Sequence, residues 1–195
     1  MTEAPITLQR KLRADTLRQA ARTEEYGCTV FLGGPFIDPG DETKSIGNRS
    51  ASLRYQLFHR MGAINWTVSL GEYQELIEAH KGILGDHNNA AVAEIAHATD
   101  VADVVIMIVD SPGSFAEIGA FSMIETICKK MLVLSDKQYE GNTGYVATGP
   151  ILMAKAFGAS VEYLDFDDVE SIENVVRGYV GKHIQLQNMR QIVRR

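Results

Sequence analysis

The chain has 195 residues, of which 45% are hydrophobic and 23% charged, as expected for one globular domain with a sizeable core. Its formal net charge is -6, which disfavours a nucleic-acid partner held by bulk electrostatic attraction. No apolar run approaches the roughly 18 residues that a membrane span needs, and the polar residues 1–25 do not match a signal peptide, so we expect a cytoplasmic protein with no membrane partner.

The first predicted element is a polar helix over residues 7–25, which carries only a thin apolar stripe. The first strong strand, CTVFLGGP, follows at residues 28–35 and ends in a Gly-Gly-Pro turn. A long polar loop then leads into a helix predicted at 50–62. The pattern next predicts a strand at about 64–71 and a short helix at 73–80.

The second half of the chain continues this alternation of helices and strands. VVIMIVD, at residues 104–110, is a continuous apolar run that is typical of a strand buried on both faces. The other predicted strands are MLVLSD at 131–136 and VEYLDF at 161–166. Helices are predicted at 89–98, 115–130, 143–158 and, as one or two helices, 167–194. Regular alternation of this kind favours an α/β fold with a parallel sheet covered by helices on both sides.

Two glycine-containing loops follow strand ends, where open parallel sheets bind their ligands. The first is GGPFIDPGD, in which Gly33 and Gly34 would let a ring or a sugar lie against the backbone, although a simple turn explains them equally. The second is DSPGSFAE, which leads directly into a helix. Neither loop forms a GxGxxG or GxxxxGK[ST] pattern, so the sequence does not support a dinucleotide fingerprint or a P-loop.

Glu117 lies in the second loop, three residues after Ser114, inside an otherwise apolar stretch. This spacing matches a capping box, in which Glu117 would only bind the Ser114 amide. Alternatively, a carboxylate in the first turn of this helix would face the ligand crevice and could attack a bound sugar. Ser111 and Gly113 at the helix start would then offer a seat for a phosphate or carboxylate group. The spacing alone leaves both interpretations open.

Other residues are candidates for the same crevice. Glu72 ends the second predicted strand at a carboxyl edge, and Tyr145 with residues 148–150 follows the fourth strand, where they would complete a pocket around a substrate base. Glu94, on the helix AAVAEIAHA, is interpreted either as a partly buried acid or as a group that supports the site. No histidine has a metal-like spacing with an acid or a cysteine, so we expect no metal.

VFLGGPF after the first strand and DSPGSFAEIGAF after a later one resemble the nucleoside 2-deoxyribosyltransferase-like family, in particular its members found as effectors in bacterial antiphage systems such as retrons. The resemblance covers roughly residues 28–166. It implies a single flavodoxin-like or Rossmann-like three-layer sandwich with a mostly parallel five-stranded sheet. The chain would then consist of an N-terminal helical arm at 1–27, the α/β core at 28–166 and a C-terminal helical segment at 167–195.

The resemblance also implies chemistry at an N-glycosidic bond. Glu117 would attack the anomeric carbon and form a glycosyl-enzyme intermediate that a base or water resolves. The residues implied on the base-and-sugar side are Gly33, Gly34, Pro35 and Phe36. Those implied on the sugar or phosphate side are Asp110, Ser111, Gly113 and Ser114.

The chain departs from the transferases, which carry an aspartate shortly before the glutamate, where this sequence has Ser-Pro-Gly-Ser. We therefore expect an N-glycosidase that hydrolyses a nucleotide-type substrate, NAD(P) or a nucleoside monophosphate, without a cofactor. The alternatives are a nucleotide-binding sensor module without turnover and a nucleoside deoxyribosyltransferase. The resemblance further implies a homo-oligomer and a defence-system partner.

Overall fold

The computed structural model describes residues 27–64, 66–73, 76, 78 and 89–193. The helix predicted at 7–25, and with it the N-terminal arm apart from Gly27, lies outside the described residues. Most of the short helix predicted at 73–80 lies outside them as well. Within the described part of the chain, no helix combines the length and the apolar character that a membrane span requires.

Five parallel strands form one sheet in the order β2-β1-β3-β4-β5. The strands are β1 Cys28–Gly33, β2 Trp66–Ser69, β3 Val104–Ile108, β4 Met131–Asp136 and β5 Ser160–Leu164. The predicted α/β fold with a five-stranded parallel sheet is therefore confirmed. This strand order creates a topological switch point between β1 and β3, where sheets of this kind bind their ligands.

Helices cover both faces of the sheet. They are α1 Arg49–Gly62, α2 Ala90–Asp100, α3 Pro112–Phe121, α4 Glu125–Cys128, α5 Leu152–Ala156 and α6 Val169–Val193. A π-helical segment, Ala147–Ile151, runs directly into α5. The continuous helix predicted over 115–130 is wrong, because Ile124 adopts an extended conformation between α3 and α4 and the Ser122 hydroxyl donates back to the Gly119 carbonyl oxygen at 3.0 Å.

Alternation along the strands divides the core into two buried clusters, one on each face of the sheet. In β3, for example, Ile106 faces the cluster built with α1 and α6, whereas Met107 faces the cluster built with α2, α3 and α4. Helix α6 contributes buried residues at four-residue intervals, namely Ile172, Val176, Val180 and Ile184. This helix is thus part of one outer layer of the sandwich, and the predicted C-terminal segment packs on the sheet.

Candidate active site

A cavity of about 460 Å³ opens near the switch point, beside the loops that follow β1, β2 and β3. Its volume lies in the range of small-molecule sites. The lining residues are Gly34, Phe36, Gly71, Glu72, Ala90, Glu94, Ser111, Gly113 and Glu117. The fold therefore brings residues predicted from three separate sequence segments to one place. We call this space the glutamate cavity.

Helix α3 begins with a capping box made by two serines. Ser111 is the N-cap, and its hydroxyl accepts the Ser114 amide at 3.2 Å, while the Ser114 hydroxyl accepts the Ser111 amide at 2.8 Å. Pro112 occupies the first helical position, where no amide hydrogen is needed. Of the two interpretations of Glu117, the capping box with Ser114 does not form, because Ser111 caps the helix three residues earlier, and Glu117 falls in the second turn rather than the first.

Ser114 and Asp110 shape the loop before α3. Ser114 is buried, and its hydroxyl also accepts the Asp110 amide at 3.0 Å and donates to the Ser111 carbonyl oxygen at 3.0 Å. Neither Ser114 nor Asp110 is among the residues that line the glutamate cavity. These two predicted residues thus do not line the cavity, whereas Ser111 and Gly113 do.

The loop after β1 forms a second part of the wall. Gly34 has a φ of +148°, which side-chain-bearing residues rarely adopt, and a Cβ there would lie 3.1 Å from the Ile108 carbonyl oxygen. Phe36 is exposed at the cavity rim, while Pro35 is buried. Gly33 lies under Glu117, since a Cβ on Gly33 would be 3.1 Å from the Glu117 Oε2 atom.

The carboxyl group of Glu117 lines the cavity, and its Oε2 atom is buried without a hydrogen-bond partner among the described residues. Burial is the main factor that raises the pKa of Glu117, to about 7, and the charges of Glu94 and Glu72 act in the same direction. Arg54 and the Gly34 amide lower this pKa but are outweighed. A shifted acid in a cleft is a pattern typical of functional sites.

Glu94, on α2, is a further carboxylate of the same cavity. Its carboxyl group lies so close to Gly71 that a Cβ on this glycine would collide with it. Burial and then the charge of Glu72 raise the pKa of Glu94, while Arg54 lowers it. The sequence signal was a single acid on an apolar helix, which does not reveal that it faces Glu117. No group of three His, Cys, Asp or Glu side chains among the described residues is arranged to hold a metal ion.

A buried arginine, for which the sequence gives no distinct signal, connects the elements at this edge of the cavity. Arg54, on α1, is only 1% exposed, and it donates to the carbonyl oxygens of Leu32, Gly34 and Pro35 at 2.6, 3.2 and 2.8 Å. It also forms a two-point ion pair with Glu72, with one contact at 3.0 Å. Arg54 thus fixes the loop after β1 and compensates the charge of Glu72.

Comparison with known proteins adds to this geometry. Residues 52–192 match the family described as STM3845 retron effector protein. The "Retron Ec86 putative ribosyltransferase/DNA-binding protein" of Escherichia coli is 29% identical over 131 residues, which are 67% of this chain and 38% of that protein. The "Retron Ec73 putative ribosyltransferase/DNA-binding protein" of the same organism is 26% identical over 83 residues, 42% of this chain and 26% of that protein. The chain thus spans less than half the length of these curated relatives.

Proposed function

The chain belongs to the STM3845 retron effector family, and from this premise we infer that it is an N-glycosidase that cleaves a nucleotide-type substrate through Glu117. The resemblance to retron effectors is thereby confirmed, whereas the link to nucleoside 2-deoxyribosyltransferases stays a prediction. The names of the two curated relatives support glycosyl-transfer chemistry. They also include DNA binding, which a net charge of -6 does not favour for this chain.

The observation that carries the proposal is the position of Glu117 beside Glu94 in one cavity at the switch point. Glu117, as a carboxylate, attacks the C1 atom of the sugar, and the bond from C1 to the base nitrogen breaks with its electron pair on the base. Glu94 is ionised when Glu117 is, since its charge is one of those that raise the pKa of Glu117, and we assign it a role in the second step. Nicotinamide leaves NAD as a neutral molecule, and the base of a nucleoside monophosphate takes up a proton from water.

The second step returns Glu117 to its starting form. Glu94, as a carboxylate, takes a proton from water as the water oxygen attacks C1, and it then releases that proton to solvent. The bond between C1 and Glu117 breaks, and Glu117 leaves as a carboxylate. Negative charge beside C1 stabilises the positive charge that develops on the sugar in both transition states.

Substrates that carry a phosphate suit this cavity better than bare nucleosides. Ser111 and Gly113 form its wall at the N-terminus of α3, and helix N-termini favour anions. We therefore keep NAD(P) and nucleoside monophosphates as the substrate candidates. Incubation of the purified protein with each of them, followed by liquid chromatography, is expected to show free base. A sensor module would leave every candidate intact, and a deoxyribosyltransferase would form a new nucleoside only when a second base is supplied.

The pH dependence of kcat/KM provides a separate test. Since Glu117 attacks only as a carboxylate and its pKa is about 7, kcat/KM is expected to rise with pH through that value. Glu94→Gln removes one of the charges that raise this pKa, so the rising limb moves to lower pH. The same variant loses the carboxylate that takes the proton from water in the second step, and we expect a maximum rate about 10²–10⁴-fold lower. If the rising limb of the pH profile lay at the same pH in Glu94→Gln as in the wild type, the charge of Glu94 would not influence the pKa of Glu117.

Gly33→Ala tests whether catalysis depends on the position of the Glu117 carboxyl group above β1. The added methyl group would collide with the Met107 sulfur and lie 3.1 Å from Glu117 Oε2, so the carboxyl group must move. We expect kcat to fall at least about tenfold, because small displacements of catalytic groups are costly. Gly62→Ala is the control, since a Cβ there meets no atom within 4 Å. Equal kcat values for the two variants would show that Glu117 does not depend on its contact with β1.

A further inference from the structure

A second cavity, of about 230 Å³, lies at the carboxyl ends of β3, β4 and β5. Its lining residues are Val109, Phe115, Ser135, Tyr139, Asn142, Gly144, Tyr145, Val146, Ala147, Ile151 and Tyr163. None of them lines the glutamate cavity, and the volume suits one ring system, being below the range of sites for drug-sized ligands. We call this space the tyrosine cavity.

The floor of the tyrosine cavity holds a hydroxyl group that has no hydrogen-bond partner in the described part of the chain. Ser135 and Tyr163 are paired residues of neighbouring strands, and the Val109 amide after β3 donates to the Leu134 carbonyl oxygen at 3.0 Å. Ser135 is 3% exposed, and no hydrogen bond within the described part of the chain uses its hydroxyl group. Because Ser135 lines the cavity, its unpaired hydroxyl group is available to a polar atom of a ligand.

Aromatic side chains form the walls above this floor. Phe115 comes from α3, Tyr139 from the segment after β4, and Tyr145 from the stretch before the π-helical segment. Tyr145 is 83% exposed, although a large aromatic side chain gains from contact with another apolar surface. The adjoining π-helical turn, Ala147–Ile151, is a rare element that is frequent at functional sites.

We propose that the tyrosine cavity binds a nucleobase. Aromatic faces stack on the flat ring, and the hydroxyl group of Ser135 with the amide group of Asn142 hydrogen-bonds its polar edge. Stacking between aromatic side chains with hydrogen bonds to the edge is a common way to hold a base. The ligand is therefore the base of a nucleotide, either as part of the substrate or as a separate molecule.

The position of the tyrosine cavity relative to Glu117 favours a base that is part of the substrate over a base from a separate molecule. This assignment rests on the proposed function. Phe115 lines the tyrosine cavity, whereas Glu117 lines the glutamate cavity. Two residues that are two positions apart on a helix point to nearly opposite sides of it. The first turns of α3 thus separate the two cavities, by roughly the 10–12 Å width of a helix. A dinucleotide can place its reacting sugar by Glu117 and its second base in the tyrosine cavity, whereas a mononucleotide cannot fill both.

Steady-state kinetics of Ser135→Ala and Tyr163→Leu test the nucleobase assignment. With NAD as substrate, we expect KM to rise about tenfold or more and kcat to stay the same, since one hydrogen bond or one stacking contact is lost in binding. With nicotinamide mononucleotide, which lacks the second base, both constants should remain as in the wild type. Ser45→Ala is the matched control, because Ser45 is also a buried serine with an unpaired hydroxyl group and lines neither cavity.

Calorimetric binding of adenosine monophosphate to proteins that also carry Glu117→Gln keeps the test independent of turnover. Glu117→Gln alone should bind it, and its combinations with Ser135→Ala or Tyr163→Leu should bind it at least about tenfold more weakly. If adenosine monophosphate competes with NAD but not with nicotinamide mononucleotide, the base in the tyrosine cavity is part of the substrate. If adenosine monophosphate instead changes the turnover of nicotinamide mononucleotide, the tyrosine cavity binds a separate nucleotide. Unchanged affinity and unchanged KM values in both variants overturn the nucleobase assignment. If the two substitutions weakened binding of adenosine monophosphate but the wild type did not turn over NAD, the nucleobase assignment would stand and the proposed glycosidase function would be wrong.

Discussion

Glu117→Gln is expected to lower kcat by at least about 1,000-fold, because the amide retains the shape of the side chain but cannot attack C1. Liquid chromatography of the free base released from NAD and from nucleoside monophosphates measures this loss of kcat. Glu125→Gln serves as the control, since Glu125 is an exposed glutamate on α4 that pairs with Lys129 on the surface. If Glu117→Gln released base as fast as Glu125→Gln, Glu117 would not be the nucleophile.

The same variant should also be more stable than the wild type at high pH. Below pH 4.5, the ordinary pKa, the carboxyl group is protonated in both the native and the unfolded chain, so the substitution changes the free energy of unfolding little. Between 4.5 and about 7, the unfolded chain releases this proton while the native protein keeps it, and wild-type stability falls as pH rises. Above about 7 the native carboxyl group is ionised as well, and the penalty is complete.

Denaturant unfolding at several pH values measures this difference. Gln lacks the penalty, so we expect Glu117→Gln to gain about 2–3 kcal/mol above neutral pH and almost nothing near pH 4. A gain of this kind with a loss of activity is the usual sign of a residue kept for function at the expense of stability. A uniform loss of stability at all pH values would instead make Glu117 a structural residue.

Arg54→Met is expected to lower the free energy of unfolding by about 3–5 kcal/mol. The substitution leaves Glu72 without this cation and removes a buried donor from the carbonyl oxygens of Leu32 and Pro35. It also removes the charge that lowers the pKa of Glu117, so the rising limb of the pH profile should move to higher pH. Denaturant unfolding and the pH dependence of kcat/KM measure the two effects.

Two variants separate the role of Arg54 from that of any arginine on α1. Arg60→Met removes an exposed guanidinium group whose partner Glu173 keeps a second ion pair with Arg177, and we expect a change below about 1 kcal/mol. Arg54→Lys keeps the charge but not the planar set of donors, so the pH profile should stay near that of the wild type while stability falls. If Arg54→Met were no more destabilising than Arg60→Met, the loop after β1 would not depend on this side chain.

The fold was accessible from the sequence because its signals are local. Continuous apolar runs such as VVIMIVD mark strands buried on both faces, and their regular alternation with helices indicates a parallel sheet. The boundary errors have local causes too. Ser111 and Ser114 both suit an N-cap, and only the folded loop shows that Ser111 holds that position. The break between α3 and α4 depends on the extended conformation of Ile124, for which the residues give no clear signal.

The site was only partly accessible because its remaining members meet through tertiary structure. Glu117 and the glycines after β1 belong to recognisable loops at strand ends. Arg54, in contrast, sits on a helix, where an isolated charged residue usually faces solvent, and Glu94 was left with two interpretations. What distinguishes them is the burial of Arg54 and the shared cavity of Glu94 and Glu117, which depend on contacts between segments far apart in the chain. The tyrosine cavity likewise combines three strand ends with the segment before α5.

The configuration at C1 of the product tests the role of Glu117 most directly. Hydrolysis in the presence of methanol would transfer part of the sugar to methanol, and nuclear magnetic resonance reports the configuration of the methyl glycoside. Attack by Glu117 followed by attack of the acceptor inverts C1 twice, so we predict that the product retains the configuration of the substrate. A product with inverted configuration would show that the acceptor displaces the base directly, and Glu117 would not form the glycosyl-enzyme bond.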